Sequence, residues 1–245
     1  MTQIIFQIKF PNLFYIENKI GDLQLEIMEK FSQSALLIRR QVVFANLGPN
    51  VKSQDIQNDL SFDEETGRKI WQFQSEKNFQ LNVLSNSFDI TSKYHKTYNL
   101  EGSEKFRETI QLVVDRFLKV TSIPLINRIG LRYIDECPIP KKDDQTYSSY
   151  YNTTFPLDRF SLSDANEMDF KTMVKRGEYY LRFIESLRKI NDEYKLILDF
   201  DGFALDISSK DYLNVTDNLH EIISREFENT IKEPVYAYMR GRGGE

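Results

Sequence analysis

The nine residues "RIGLRYIDE", 128–136, alternate apolar and polar side chains, a pattern typical of a β-strand with one face in the core. Because side chains alternate along a strand, they divide into two sets. The core face would carry Ile129, Leu131 and Tyr133, followed by Asp135, and the other face Arg128, Gly130 and Arg132. The two arginines would stand about 13 Å apart with only the glycine between them, which leaves a gap for an aromatic ring, another backbone or a ligand.

The rest of the chain predicts more strands and three amphipathic helices. Alternation predicts strands at about residues 4–10, 36–44, 71–73, 79–83, 126–137, 168–175, 178–187 and 193–201, with alternation resuming at 203–207 after a turn at Asp201-Gly202. Residues 88–90 would either continue the sheet or begin another strand. Apolar residues three and four positions apart predict helices at about 18–33, 104–121 and 215–231, with Ser103 capping the second. Each helix has one apolar stripe. We therefore predict an α+β fold, with a largely antiparallel sheet, or two joined sheets, and helices on one face.

A short motif recurs in the two parts of the chain. Asp-Ile-Thr-Ser-Lys at 89–93 returns as Asp-Ile-Ser-Ser-Lys at 206–210, and each copy precedes an amphipathic helix. We predict an internal duplication, β-α-β-β-β-α in residues 1–122 and β-loop-β-β-β-α in residues 123–245, joined as one compact unit. Lys93 and Lys210 would either contact a ligand as a pair or be solvated, while the Asp and Ser of each motif cap a turn.

Composition narrows the class of protein. The chain has 245 residues, 40% of them hydrophobic, enough for a real core, and a net charge of −5, which is untypical of general nucleic-acid binding through a basic surface. A single cysteine, Cys137, rules out an intrachain disulfide. The sequence begins without a signal-peptide pattern and has no apolar run of the length that a membrane span needs. We expect a soluble, cytoplasmic protein that does not bind a membrane.

The arginines of the opening strand are the first binding candidates, together with Gly130 and Asp135. Arginine binds carboxylates and phosphates with two parallel hydrogen bonds, so two guanidinium groups beside a gap suit an anion. The alternative is that Arg128 and Arg132 pair with acids on neighbouring strands, for example Asp199 or Glu185. Arg182 would add to a basic groove if its strand lay beside this one.

The predicted loop at about 138–166 is unusually long for a compact domain, and such loops are often functional. It carries Tyr147, Tyr150 and Tyr151, and tyrosine is enriched at protein interfaces. The three tyrosines would either form a patch that binds a partner or fold back onto the domain.

Few residues of the sequence are suited to metal or cofactor chemistry. Only His95 and His220 accompany the one cysteine, and no phosphate-binding glycine motif is present, so we predict no cofactor. Asp199 and Asp201 share a strand face and could hold Mg²⁺, with Asp206 nearby. The alternative is a hairpin turn with solvated acids.

Gly130 to Asp135, Gly-Leu-Arg-Tyr-Ile-Asp, resembles the G-L-R-Y-I-[ND] strand of an uncharacterised, sporadically distributed bacterial family of roughly this length. Leu219 to Phe227 is similar to that family's L-H-E-x-I-x-x-x-F helix. Here Asp135 stands where asparagine is often found, and the C-terminal tail departs from the family's usual ending. The resemblance spans most of the chain, its specific part is short, and it implies a bacterial protein without an established activity or catalytic residue.

These observations favour a binding role over a catalytic one. The first hypothesis is a non-catalytic module that binds or regulates another protein through the open sheet face, the arginine strand and the tyrosine loop. The second is binding of a nucleotide or a short nucleic acid through Arg128 and Arg132, since basic and aromatic side chains together suit phosphates and bases. The third is a metal-dependent enzyme built on Asp199 and Asp201.

Overall fold

The computed structural model describes residues 2–39, 68–102 and 104–242. They form one antiparallel sheet of nine strands, in the order β2-β3-β4-β5-β1-β6-β9-β8-β7, with five helices. The strands are β1 Gln3–Lys9, β2 Gln33–Arg39, β3 Arg68–Gln74, β4 Gln80–Val83, β5 Ser87–Ser92, β6 Leu125–Pro138, β7 Met168–Arg176, β8 Tyr179–Ile190 and β9 Glu193–Ser208. The helices are α1 Ile16–Ile27, α2 Phe106–Thr121, α3 Asp144–Tyr150, α4 Tyr212–Thr230 and α5 Glu233–Arg242. The predicted α+β class is confirmed.

The two parts of the chain meet at the centre of the sheet. β1 and β6 pair along seven residues, from Gln3 opposite Ile134 to Lys9 opposite Arg128. Outward from this pair, β5 and β4 flank β1, and β9 and β8 flank β6. The first part has four described strands between α1 and α2, whereas the predicted repeat, β-α-β-β-β-α, has three. The duplication itself stays a prediction.

The core lies between the sheet and the helices. Ile4, Phe6 and Ile8 of β1 are buried beside the partners that the register gives them on β6, which are Tyr133, Leu131 and Ile129. The buried stripe of α2 and that of α4 cover this surface, and α1 packs on α2. The parity predicted for residues 128–136 is therefore confirmed on the core side. We name the opposite surface of the sheet, which is built from the intervening strand residues, the open face.

The predicted turn at Asp201-Gly202 is wrong, because β9 continues through both residues to Ser208. Gly202 lies opposite Leu131 of β6 and Leu181 of β8, on the face that α4 covers. A Cβ atom at this position would come within 3.2 Å of the Ile223 side chain. The glycine thus permits close approach of the helix, and does not make a turn.

The long connection between β6 and β7 is ordered by a buried carboxylate. It contains α3, whose N-cap Asp143 accepts a 2.8 Å hydrogen bond from the Thr146 amide. Glu185 of β8 is fully buried and accepts hydrogen bonds from the Tyr147 hydroxyl, the Thr153 hydroxyl, and the amide and hydroxyl of Thr154. The connection is consequently tied to the covered face of the sheet.

The remaining boundaries differ modestly from prediction. α1 ends six residues earlier than predicted, and Glu233–Arg242, for which no helix is predicted, form the helix α5. Three parts of the prediction lie outside the described residues. They are Ser103, the strand residues after Arg39, and the polar, turn-rich residues 46–67, which would form a long loop. The residue at the N-cap position of α2 is Lys105. No helix within the described part of the chain is long and apolar enough to cross a membrane.

Candidate functional site

A row of five side chains crosses the open face at its centre. Strand register places each of them directly opposite the next on the neighbouring strand. In order from β7 to β1 the row is Met173, Arg182, Asp201, Arg132 and Ile5. Neighbouring strands lie about 4.8 Å apart, so the row spans about 19 Å.

Asp201 is the centre of this row and binds two arginines. It is buried, and it accepts a 2.6 Å hydrogen bond from Nη2 of Arg182 and a 3.0 Å hydrogen bond from Nη2 of Arg128. A buried carboxylate is stable when ionised only if cations or hydrogen-bond donors replace its water. The two guanidinium groups provide that replacement.

Arg132 binds the other buried carboxylate of β9. Its Nε and Nη2 donate to the two oxygens of Asp199 at 2.7 and 2.5 Å, a bidentate pair. This bonding to Asp199 raises the pKa of Arg132 above its usual value. Ion pairing with neighbouring strands, the alternative considered from the sequence, is thus present. Asp199 is one of the two acids named there, whereas Glu185 lies on the covered face.

The gap above Gly130 is filled by Arg128 itself. A Cβ atom on Gly130 would lie only 2.5 Å from Nη1 of Arg128, so the guanidinium rests directly over the glycine. That group also lies 4.6 Å from the ring centroid of Phe203 and donates to the Gln7 side chain at 3.2 Å. Gly130 therefore leaves room for the Arg128 guanidinium to lie across its own strand and reach Asp201.

These residues line a concave pocket of about 360 Å³ on the open face. Its lining is Ile5, Gln7, Lys9, Arg128, Gly130, Arg132, Met173, Arg182, Asp201 and Phe203. Four cationic side chains and one carboxylate leave an excess of three positive charges, and Asp199, bound to Arg132 beside the pocket, reduces it to two. In a chain with a net charge of −5, this face is locally suited to anions.

The aromatic ring of the pocket has both of its faces covered. Tyr180 of β8 stacks on Phe203 with ring centroids 5.1 Å apart and planes inclined by 13°. Tyr180 is the neighbour of Phe203 on β8, and Gly130 is its neighbour on β6. The Arg128 guanidinium lies over Gly130 and therefore covers the second face of the ring. A nucleobase would have to displace one of these neighbours in order to stack on Phe203.

Arg182 joins the pocket in a different way from the one expected. Its strand, β8, does not lie beside β6, because β9 runs between them. The basic groove nevertheless forms, since Asp201 of β9 holds Arg182 from one side and Arg128 from the other.

The other binding candidates lie away from this pocket. Tyr147 and Tyr151 are buried in the core, with Tyr150 partly buried beside them, so the tyrosine loop folds back onto the domain. Asp135 is buried on the covered side, where desolvation raises the pKa of its carboxyl group.

The two lysines of the repeated motif are also separate from the pocket. Lys93 and Lys210 are exposed and follow the ends of β5 and β9. Ser92 lies opposite Ile4 at the start of β1, and Ser208 lies opposite Leu125 at the start of β6. Because β1 and β6 are antiparallel, the two lysines stand at opposite ends of the sheet and share no site.

The metal candidates are engaged by arginines. Asp199 binds Arg132, and Asp201 binds Arg128 and Arg182. Among residues 2–39, 68–102 and 104–242 there is no group of three or more His, Cys, Asp or Glu side chains that could hold a metal ion. Each carboxylate would have to exchange its arginine for the metal.

Both histidines lie on the covered side of the sheet, where they bond to neighbouring hydroxyl groups. His95 is buried and bonds to the Ser92 hydroxyl at 2.8 Å, and His220 bonds to the Tyr133 hydroxyl at 2.7 Å. Burial lowers the pKa of both imidazoles, that of His95 to about 4. Neither side chain lines the pocket.

Five pocket residues were missed from the sequence: Ile5, Gln7, Lys9, Met173 and Phe203. Alternation in β1 and β7 could have placed the first four on the face opposite the core. Their position beside the arginines depends on strand order and register, for which the sequence has no local signal. The predicted turn at Asp201-Gly202 places Phe203 in a separate strand.

No family model, no curated protein and no solved structure matches this chain with significant similarity. The resemblance of residues 130–135 and 219–227 to a bacterial family therefore stays a prediction.

Proposed function

We propose that this protein is a non-catalytic binding module whose open sheet face takes an acidic segment of another protein. The observation that carries the proposal is the excess positive charge of the pocket, combined with arginines that are only partly enclosed. The side chains of Arg132 and Arg182 are each 36% exposed, although both already bind a carboxylate. Among the described residues, Arg182 donates from Nη2 alone and Arg132 from Nε and Nη2, so their other N–H groups can bind a second anion.

The lining of the pocket supports binding rather than catalysis. Its described lining residues include one carboxylate, fixed by two arginines, and none of the Ser, Thr, Cys, His or Tyr side chains that usually act as nucleophiles or proton carriers. Ile5 and Met173 add apolar surface at its two ends, as is common where peptide side chains are bound.

Binding of a nucleotide or a short nucleic acid is the second candidate, and it has less support. Guanidinium groups suit phosphates as well as carboxylates. Sequence-tolerant binding of single strands also needs aromatic faces for the bases, and both faces of Phe203 are covered by Tyr180 and Arg128.

The test compares two labelled polyanions, decaglutamate and decathymidylate, by fluorescence anisotropy. We expect decaglutamate to bind with an affinity that falls between about 50 and 200 mM salt, because the contacts are electrostatic. Arg182→Gln should weaken binding about five-fold, the effect of losing one partly exposed charged contact.

Arg188→Gln is the matched control. Arg188 lies on the same strand and the same face, its side chain is 37% exposed, and it also binds an aspartate, but it does not line the pocket. Tighter binding of decathymidylate would favour the nucleic-acid function. Failure of both probes to bind, or equal loss in the two variants, would show that the proposed site is wrong.

A further inference from the structure

We infer that the acidic segment crosses the strands in an extended conformation along the central row. In this segment, acidic residues stand at positions 3 and 5, and apolar residues stand at positions 1 and 7. This inference rests on the proposed function and specifies its partner. The row from Met173 to Ile5 has apolar side chains at both ends and two arginines between them. It therefore has the pattern apolar, cation, acid, cation, apolar.

The spacing of the row matches that of an extended peptide. Strands about 4.8 Å apart place Arg182, Arg132 and Ile5 about 5, 14 and 19 Å from Met173 along the row. In an extended chain, alternate residues share a face and lie about 6.8 Å apart. Side chains at positions 1, 3, 5 and 7 thus fall at about 0, 7, 14 and 20 Å. Positions 1 and 7 meet the apolar ends, and positions 3 and 5 meet the two arginines.

The two arginines of the row have the donors that such acids need. Within the described part of the chain, Arg182 donates to Asp201 from Nη2 alone, and Arg132 donates to Asp199 from Nε and Nη2. The Nη1 group of each remains for another acceptor. Arg128 is different, because Phe203, Gln7 and Asp201 enclose it and leave its side chain 19% exposed. Arg128 positions Asp201, while Arg132 and Arg182 face the ligand.

The ends of the row supply the apolar contacts. Met173 is 62% exposed on β7, and its unbranched side chain adapts to differently shaped partners. Ile5 on β1 is partly buried and lines the pocket. A peptide with apolar residues at positions 1 and 7 would cover both.

The test uses two labelled peptides of identical composition. The in-register probe is Leu-Ser-Glu-Ser-Glu-Ser-Leu, and the control is Leu-Glu-Ser-Ser-Ser-Glu-Leu, in which the acids lie on the opposite side from the leucines. Affinities are measured by fluorescence anisotropy with the full chain. We expect the in-register peptide to bind about ten-fold more tightly, since only it can place two charges and two apolar groups together.

Variants assign the contacts. Arg182→Gln should weaken the in-register peptide about five-fold and Met173→Ser about three-fold, while Arg188→Gln leaves it unchanged. Arg132→Gln should match Arg182→Gln, but it also leaves Asp199 buried without its partner. If that protein fails to fold, Arg182→Gln and Met173→Ser decide the outcome, because Asp201 keeps Arg128 when Arg182 is lost and Met173 is exposed.

The two proposals fail separately. Equal affinity for the two peptides, with decaglutamate still bound through Arg182, would overturn the crossing arrangement and leave the proposed function standing. If decaglutamate and both peptides fail to bind, both proposals are wrong.

Discussion

Arg128 shows how one residue can change role between sequence and structure. On the strand it is equivalent to Arg132, with the same parity and one glycine between them. In the folded protein the Arg128 guanidinium lies over Gly130 and donates to Asp201, whereas Arg132 donates to Asp199. The difference arises because Gly130 lacks a side chain and Phe203 provides a ring to lie against.

Gly130→Ala tests this arrangement. The new methyl group would occupy the position of the Arg128 guanidinium, 2.5 Å from Nη1, and the flexible end of that side chain can move away. We expect the fold to persist and the unfolding free energy to change by about 1 kcal/mol or less. The loss of the Arg128 contacts is offset because alanine lowers the conformational entropy of the unfolded chain. Decaglutamate binding should change more than stability does. A crystal structure with Arg128 still on Asp201 would contradict this expectation.

At the scale of elements, a single buried carboxylate joins the β6–β7 connection to the sheet. Glu185 lies on the covered face of β8, opposite Leu198 of β9 and Phe170 of β7. It meets no described cation within salt-bridge distance and takes all its hydrogen bonds from Tyr147, Thr153 and Thr154. The predicted loop at about 138–166 is therefore anchored to the core, in which its Tyr147 and Tyr151 side chains are buried.

Glu185→Gln should destabilise the protein by about 2–4 kcal/mol, because the amide brings two donors to a site that already holds donors. The measurement is urea unfolding, together with proteolysis of the connection between residues 139 and 165 at native conditions. Glu193→Gln, an exposed position at the start of β9, is the control and should change stability little. Similar unfolding midpoints for the two variants would show that Glu185 is not the anchor.

At the scale of the whole molecule, the two parts of the chain are joined on both faces. On the covered side, Tyr98 and Arg107 of the first part donate to Asp217 of α4 at 2.7–2.8 Å, and the Tyr98 ring stacks on His220 at 4.4 Å. On the open face, β1 contributes Ile5, Gln7 and Lys9 to a pocket whose other residues come from the second part. The pocket is complete only when β1 pairs with β6.

The stability of the whole molecule should depend on pH through His95. Burial lowers the pKa of His95 to about 4, and the nearby Glu104, whose carboxylate favours the charged imidazole, only partly opposes this. A histidine with a lowered pKa in the folded state contributes stability above its unfolded pKa of about 6.5, and the contribution is lost as pH falls toward 4. The loss is about 3 kcal/mol by linkage.

Urea unfolding of the wild type and of His95→Phe at about pH 7 and pH 4.5 checks this expectation. The variant should be less stable at neutral pH, because it lacks the bond to Ser92, but should lose less stability on acidification. The comparison isolates His95 from the carboxylates, which titrate in both proteins. Equal pH dependence of the two proteins would contradict the assignment.

The sequence by itself determined the class of fold and the faces of its elements. The alternation of side chains along the strand placed Ile129, Leu131 and Tyr133 inside and Arg128 and Arg132 on the other face. The spacing of apolar residues three and four positions apart located α2 and α4. These properties are local, since parity follows from backbone geometry and burial follows from side-chain polarity.

Only the tertiary structure decided which strands are neighbours and in what register. Backbone hydrogen bonds between strands are alike for most sequences, so nothing local places Arg182 of β8 and Arg132 of β6 on either side of Asp201. The same reason explains the wrong turn at Asp201-Gly202. Those two residues stay in a strand because β6 and β8 pair with them on both sides, and the β6 partners lie about seventy residues earlier along the chain.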